Sequence, residues 1–174
     1  MKKVILLFVL PLMCLTLFPD ISGAIGFEGF GGNLAFVLPK VGDNTLGFGA
    51  VGSLGSILPE MAELKAEVGV EYWGNSQDLF SSSVISLDGT VKYYFPGEGV
   101  FPFAGIGLGL IRSSSSYKFF GEDISDSNIN LGIDLLGGAD FPITPNMKFV
   151  AEARYVSTDG HWFQISGGLM LKLY

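Results

Sequence analysis

The sequence predicts an all-β fold, an eight-stranded antiparallel up-and-down transmembrane β-barrel. Three observations carry this. Apolar residues recur at every second position through most of the chain after residue 24, and no stretch there keeps a 3.6-residue period for three turns. Only 16% of residues are charged while 48% are hydrophobic, with a mean hydropathy of +0.45. That charge content falls well below the quarter typical of a water-soluble domain. The connections between the alternating segments are short and long in turn, as in a barrel whose strands run up and down across a membrane. At 174 residues the chain has room for one domain of ordinary size.

The first 24 residues stand apart. Lys2 and Lys3 precede an apolar run, Val4 to Leu17, interrupted only by Pro11 and Thr16, and Ser22-Gly23-Ala24 follows. A positive start, a short apolar stretch and small residues at a cleavage site make a secretory signal peptide, with cleavage expected after Ala24. The run is shorter than the roughly 20 apolar residues of a comfortable membrane-spanning helix. Cys14, the only cysteine, lies inside it behind Leu12 and Met13, which do not fit a lipid-anchor motif. The expected division is therefore 1–24 signal peptide and 25–174 barrel, the latter without cysteine.

The strands follow in order. Phe27–Val37 and Thr45–Ser56, like Val100–Arg112 further on, are Gly-rich and keep the two-residue beat less cleanly. Leu64, Ala66, Val68, Val70 and Tyr72 alternate with Lys65, Glu67, Gly69 and Glu71. Ile85 to Phe95 alternates with Ser86, Asp88, Thr90 and Lys92, and Val100–Arg112 sets Ala104, Ile106, Leu108 and Leu110 against glycines. Ile129 to Leu135, Phe149 to Tyr155 and Phe163 to Leu173 complete eight. Ile57–Glu63, Pro96–Gly99 and Pro142–Asn146 read as tight turns by their Pro, Gly and Asn. Pro39–Asn44, Gly74–Ser82, Ser113–Ser127 and Ser157–His161 read as longer polar loops, which a periplasmic N-terminus and an even strand count place outside the cell.

A soluble barrel alternates as well, with its apolar face inward. The composition of the polar face decides between the two. It is mostly Gly, Ser, Asn and Thr with few charges of mixed sign, which suits a narrow lumen better than a water-facing wall. The apolar face is almost free of charge, as lipid contact requires, since a mid-bilayer Arg or Lys costs roughly 2–4 kcal/mol. Aromatics sort by depth: Phe95, Phe101, Phe141, Phe149 and Tyr174 near the short turns, and Phe36, Tyr72, Trp73, Tyr155, Trp162 and Phe163 near the long loops. This is expected to give two interfacial girdles.

The stretch Gly137-Gly138-Ala139-Asp140-Phe141 enters the turn Pro142–Asn146 and runs on as Met147 to Tyr155, and the chain closes with Gly167-Gly168-Leu169-Met170-Leu171-Lys172-Leu173-Tyr174. In these features the chain resembles the small outer-membrane barrels of the OmpA/OmpX-like porin family. The resemblance implies insertion in the outer membrane by the barrel assembly machinery, with membrane lipid and lipopolysaccharide around the wall. Such barrels usually end on an outward aromatic, whereas here the apolar phase ends at Leu173 and Tyr174 is out of phase.

Chemistry is sparse. His161 is the only histidine, with Ser157 and Asp159 in its loop and Ser166 on the next strand. That is loop membership and not a triad. Glu122, Asp123 and Asp126 lack the regular spacing of a Ca²⁺ loop and read as a solvated acidic segment. Gly105, Gly107 and Gly109 precede no helix and suit close packing in a strand rather than phosphate binding. No enzyme, cofactor or metal is expected. With 10 Lys+Arg against 17 Asp+Glu and no basic run, no nucleic-acid partner is expected either. The expected function is that of a monomeric envelope barrel with a side-chain-filled lumen and a structural or surface-interaction role. A narrow porin-like channel and a lipid A-modifying enzyme are the alternatives.

One site is specified by residue. Centring the turn Pro142–Asn146 on Thr144 places Asp134 opposite Arg154, Leu136 opposite Glu152, and Asp140 opposite Lys148, all on the lumenal phase. The expected lumenal ion-pair network is Asp134, Arg154, Glu152, Asp140 and Lys148. A two-residue slip would keep every face but put Gly132 or Leu136 across from Arg154, and a solvated Arg154 at the rim is the other alternative.

Overall fold

The structure, a computed structural model, describes residues 26–40, 42–77, 80–119 and 122–173. The expected signal segment and Tyr174 lie outside these. Eight strands follow one another: β1 Gly29–Pro39, β2 Thr45–Leu58, β3 Met61–Gln77, β4 Phe80–Tyr94, β5 Phe101–Phe119, β6 Glu122–Thr144, β7 Met147–Ser157 and β8 Trp162–Lys172. Each pairs antiparallel with the next, and β8 returns to β1 from Gly29↔Lys172 to Pro39↔Trp162, closing the barrel. Closure leaves every strand paired on both sides through the body of the wall, which is what allows a sheet to stand in lipid.

The alternation sorts side chains as the pleat demands. Outward residues stay open: Leu34 and Leu46 are 71% and 73% exposed, and Val70, Leu87, Leu108, Leu135 and Ile165 share their face. An apolar surface this continuous is a lipid contact and not a water contact. Inward residues are buried, among them Glu67, Asp88, Lys92, Asp134 and Glu152. Glycines on the inward phase make room for them. A Cβ on Gly69 would stand 2.9 Å from Asp88 Oδ2, and one on Gly107 would stand 3.2 Å from Asp134 Oδ2.

Three expectations need correction. First, the described residues of Ser113–Ser127 are strand and not loop. β5 and β6 continue through it as a ladder, with Ser114↔Ser127, Ser115↔Asp126, Ser116↔Ser125 and Tyr117↔Ile124 paired. Alternation disappears where both faces of a hairpin meet water, so a polar strand reads as a loop. The Ser81 and Ser116 hydroxyls bond across strands at 2.8 Å. Gly74–Ser82 is likewise mostly strand, with Gly74↔Ser83 and Gln77↔Phe80 paired.

Second, the girdles lose members. Phe36, Tyr72, Tyr155 and Phe163 face outward at one end and Phe95, Phe141 and Phe149 at the other, all at least a third exposed. Trp73 and Trp162 are only 8% and 7% exposed. They meet edge-on inside the barrel with ring centroids 5.6 Å apart. Together with Val37, Val84, Ile111 and Val156 they form an apolar plug beneath the long connections. Phe101 shares the inward phase of buried Phe103 and lines the opposite mouth.

Third, the β6–β7 register sits two residues from the expected one. The reversal is made by Pro145 and Asn146 rather than centred on Thr144, and an irregularity between Pro142 and Thr144 absorbs one residue. Leu136 therefore pairs with Arg154, Gly138 with Glu152, and Pro142 with Lys148. The displacement is even, so no side chain changes face.

Candidate functional site

Below the plug the lumen is a stack of charges. Arg154 of β7 reaches three carboxylates. Its Nε and Nη2 donate to Glu152 Oε1 at 3.0 and 2.8 Å, and Nη1 donates to Asp88 Oδ2 at 3.2 Å. Nη1 also lies 3.5 Å from Asp134 Oδ2. With Leu136 directly across, Asp134 is the diagonal neighbour, a separation a long guanidinium side chain can bridge. The Arg154 side chain keeps only 12% of its exposure, so it is neither lipid-facing nor a solvated rim residue. The planar fork lets one cation serve several carboxylates at once.

Lys92 of β4 makes the next layer, 2.6 Å from Glu67 and 2.8 Å from Glu152, with all three side chains nearly sealed from water. Glu152 thereby joins the two cations. The Lys92 ammonium also rests 4.5 Å from the centroid of Phe103. Above Arg154, Trp162 Nε1 donates to Gln164 Oε1 at 3.2 Å and Gln164 Nε2 donates to Glu71 Oε2 at 3.0 Å. This chain of hydrogen bonds links the plug to the charged layers. Toward the short-turn end Lys148 Nζ pairs with Asp140 Oδ2 and lies 5.5 Å from the Tyr94 ring centroid. The cavities found along the charged stack are about 40, 20 and 10 Å³, of the order of one or two water molecules.

Of the five residues named from the sequence, Asp134, Arg154 and Glu152 stand in one cluster and Asp140 with Lys148 in a separate pair. Asp88, Lys92, Glu67 and Glu71 were not assigned to the network. Asp88 is 66 positions from Arg154 and comes from a non-adjacent strand, so only closure of the barrel brings them together. Their shared inward phase with opposite charges was the available signal.

The other candidates do not converge. His161 is exposed and contacts Tyr155, ring centroids 5.9 Å apart. Ser157 and Asp159 are exposed, Ser166 is buried on the lumenal face, and no hydrogen bond among the described residues joins any of them to His161. Asp126 is exposed on β6, and the side chains of Glu122 and Asp123 lie outside what the structure describes. Among the described residues no group of three His, Cys, Asp or Glu side chains is placed to hold a metal ion.

A closed eight-stranded antiparallel wall, apolar outside and charged within, defines a membrane β-barrel of the small type. The sequence profile of the outer membrane protein beta-barrel domain family matches residues 19–169, and the chain belongs to that family. No curated protein matches it in sequence. Among solved structures it is similar to Neisserial surface protein A, with a TM-score of 0.65 at 19% identity, covering 84% of this chain and 96% of that one. Ail, the attachment invasion locus protein of Yersinia pestis, gives a TM-score of 0.60 at 16% identity over 86% and 99% of the two chains. The outer membrane enzyme PagL gives 0.53 at 17% identity over 81% and 98%. At such identities the likeness is one of fold, which fixes no activity by itself: one protein that shares it is an enzyme.

Proposed function

We propose that the protein is a non-conducting barrel of the outer membrane that presents a surface for interaction outside the cell. The observation carrying this is the unequal height of its wall. A transmembrane strand needs about 9–11 residues, which the 11-residue β7, β8 and β1 just supply. β5 has 19 residues and β6 has 23. Pairing of β6 with β7 begins only at Ile133↔Ser157, so among the described residues Glu122–Gly132 is paired on the β5 side alone. A free strand edge with unpaired backbone groups is a site to which another extended segment can add. Tyr117 and Ile124, 55% and 58% exposed, add apolar contact beside it.

The stacked ion pairs and the Trp73–Trp162 plug support a lumen too full for solutes. In this reading the protein is a monomer surrounded by lipid and lipopolysaccharide, secreted through its signal peptide and inserted by the barrel assembly machinery. Planar-bilayer recording of the refolded chain tests the closed lumen, where no defined open state is expected and a reproducible conductance step would replace this reading with a channel. Deleting the β5–β6 crown from Ser114 to Ser127 should abolish capture of surface partners by intact cells while leaving the barrel folded. Unchanged lipid A mass spectra on His161→Ala are expected, and a change would point to an enzyme.

A further inference from the structure

Arg112 departs from the charge pattern of the wall. Of the basic side chains described on the strands, Lys65, Lys92, Lys148, Arg154 and Lys172 take the lumenal phase, and Arg112 alone takes the outward one. It is exposed, and among the described residues its side chain has no ion pair or hydrogen bond. Ile85 and Ile129 are its partners on the adjoining strands, 46% and 63% exposed. Leu110 precedes it on the same face, and the next outward row beyond it is Ser83, Ser114 and Ser127, paired in line. No carboxylate is among these neighbours, so the charge must be met from outside the chain.

The register fixes its depth. Tyr72 on β3 and Tyr155 on β7 are outward aromatics at the long-connection end, where such rings mark the limit of the hydrocarbon. The row through Tyr72 crosses Ile85 to Arg112, and the row through Tyr155 crosses Leu135 to Ile106. β5 lies two strands from each, so that limit crosses it midway between Ile106 and Arg112. Arg112 then stands about three residues beyond it, or about 7–8 Å at a rise near 3.3 Å and a tilt near 40°. The headgroup layer outside the hydrocarbon is about 5–8 Å deep on each side. The guanidinium is therefore level with lipid phosphates and not with acyl chains.

A guanidinium holds a phosphate through two parallel N–H bonds. Beyond it Ser83 and Ser114 are half-exposed and Ser127 is exposed, and among the described residues their hydroxyls have no hydrogen-bond partner. One cation with a row of hydroxyls further from the membrane suits a headgroup with one phosphate at its base and neutral hydroxyls above. We propose that Arg112 and the row of Ser83, Ser114 and Ser127 bind a phosphorylated glycolipid of the outer leaflet, its phosphate on the guanidinium and its sugar on the serines. This rests on the reading that the crown lies outside the cell.

The test places the full refolded barrel in nanodiscs of zwitterionic phosphatidylcholine and adds a glucosamine-disaccharide lipid carrying one phosphate. NMR follows the Arg112 Nε–H and the serine amides. The same glycolipid without phosphate, and phosphatidic acid, which has the phosphate but no sugar, serve as comparison probes. Orientation plays no part in a nanodisc, so failure here is distinct from failure of the crown's placement outside the cell. The phosphorylated glycolipid should give saturable shifts and bind at least about tenfold more tightly than either other lipid. Arg112→Gln should weaken it about tenfold or more. Lys40→Gln, which removes another exposed cation of the same end, should leave it unchanged. Ser83→Ala, Ser114→Ala and Ser127→Ala together should lower its affinity to that of phosphatidic acid. Each variant alters the outer surface and leaves the lumen intact. Absence of saturation, equal affinity for the three lipids, unchanged binding in Arg112→Gln or in the triple serine variant, or an equal loss in Lys40→Gln would each overturn the proposal.

Discussion

Arg154 and Asp134 meet across a diagonal: Leu136 is the residue paired with Arg154, Asp134 pairs with Val156, and the Arg154 Nη1 still reaches Asp134 Oδ2 at 3.5 Å. The contact is the longest the guanidinium makes to its three carboxylates. The two partners should therefore differ in importance. Arg154→Leu strands Asp88 and Asp134 in a buried layer and should lower the unfolding free energy by about 3–5 kcal/mol. Asp134→Asn leaves Arg154 held by Glu152 and Asp88 and should cost about 1 kcal/mol. Urea unfolding in lipid vesicles gives both values, and a reversed order would remove Arg154 from the centre of the network.

Lys92 stands between Glu67 and Glu152. Lys92→Met leaves Glu67 without its cation and facing Glu152, which keeps Arg154, an expected loss of about 3–5 kcal/mol. Adding Glu67→Gln should recover part of it, because one repulsive charge is gone. A double-mutant cycle reads the coupling directly, and strict additivity would show that the layer does not act as a unit.

The two tryptophans offer an optical test of the plug. Because Trp73 and Trp162 face inward, lipids brominated in their acyl chains should quench their fluorescence weakly. A tryptophan placed at Leu131, on the lipid face and 66% exposed, should be quenched strongly in a Trp73→Phe, Trp162→Phe background. Strong quenching of the native pair would return both residues to an interfacial girdle.

Glycine placement predicts a contrast between faces. Gly69→Ala sets a Cβ 2.9 Å from Asp88 Oδ2, displacing that carboxylate from Arg154, with an expected cost of about 1–3 kcal/mol. A Cβ on Gly89, which faces outward, meets nothing within 4 Å, and Gly89→Ala should stay within about 0.5 kcal/mol of wild type. Thermal or urea unfolding of the pair compares them under one condition.

Orientation can be read with a single engineered thiol, since Cys14 is the only native cysteine and belongs to the expected signal peptide. Ser125→Cys should react with a membrane-impermeant maleimide on intact cells, and Glu98→Cys only after lysis. The opposite pattern would invert the barrel.

The strand count, the order and the inward or outward phase of the alternating segments (Leu64–Tyr72, Ile85–Phe95, Ala104–Leu110, Ile129–Leu135, Phe149–Tyr155 and Phe163–Leu173) were legible in the sequence, because the pleat and the lipid impose a period of two wherever the wall is in the membrane. Legibility ended where that contrast ends. Ser113–Phe119 and Glu122–Ser127 are strand beyond the lipid, so their polarity resembled a loop. Trp73 and Trp162 are apolar residues on the polar phase, and a depth rule alone assigned them to the lipid interface. The β6–β7 register failed for another reason, since nothing in Pro142–Asn146 marks which of its two prolines makes the reversal. Asp88 was invisible as a partner of Arg154 because hairpin arithmetic sees adjacent strands, whereas a lumen joins walls that face each other.

The difference in strand length gives an otherwise cylindrical molecule a front and a back. Through the membrane the wall has no preferred side, and rotation about its axis changes little. Beyond it, β3 to β6 stand as a screen on one side, while Ser157, Trp162, Pro39 and Thr45 mark a low sill on the other. On the proposed reading, a bulky glycan or a neighbouring protein lying over the bilayer would approach the Trp73–Trp162 plug across that sill, and the margin of β6 from the flank beside β7. Two such barrels drifting in the same membrane would then have to turn to a particular bearing before their crowns could touch.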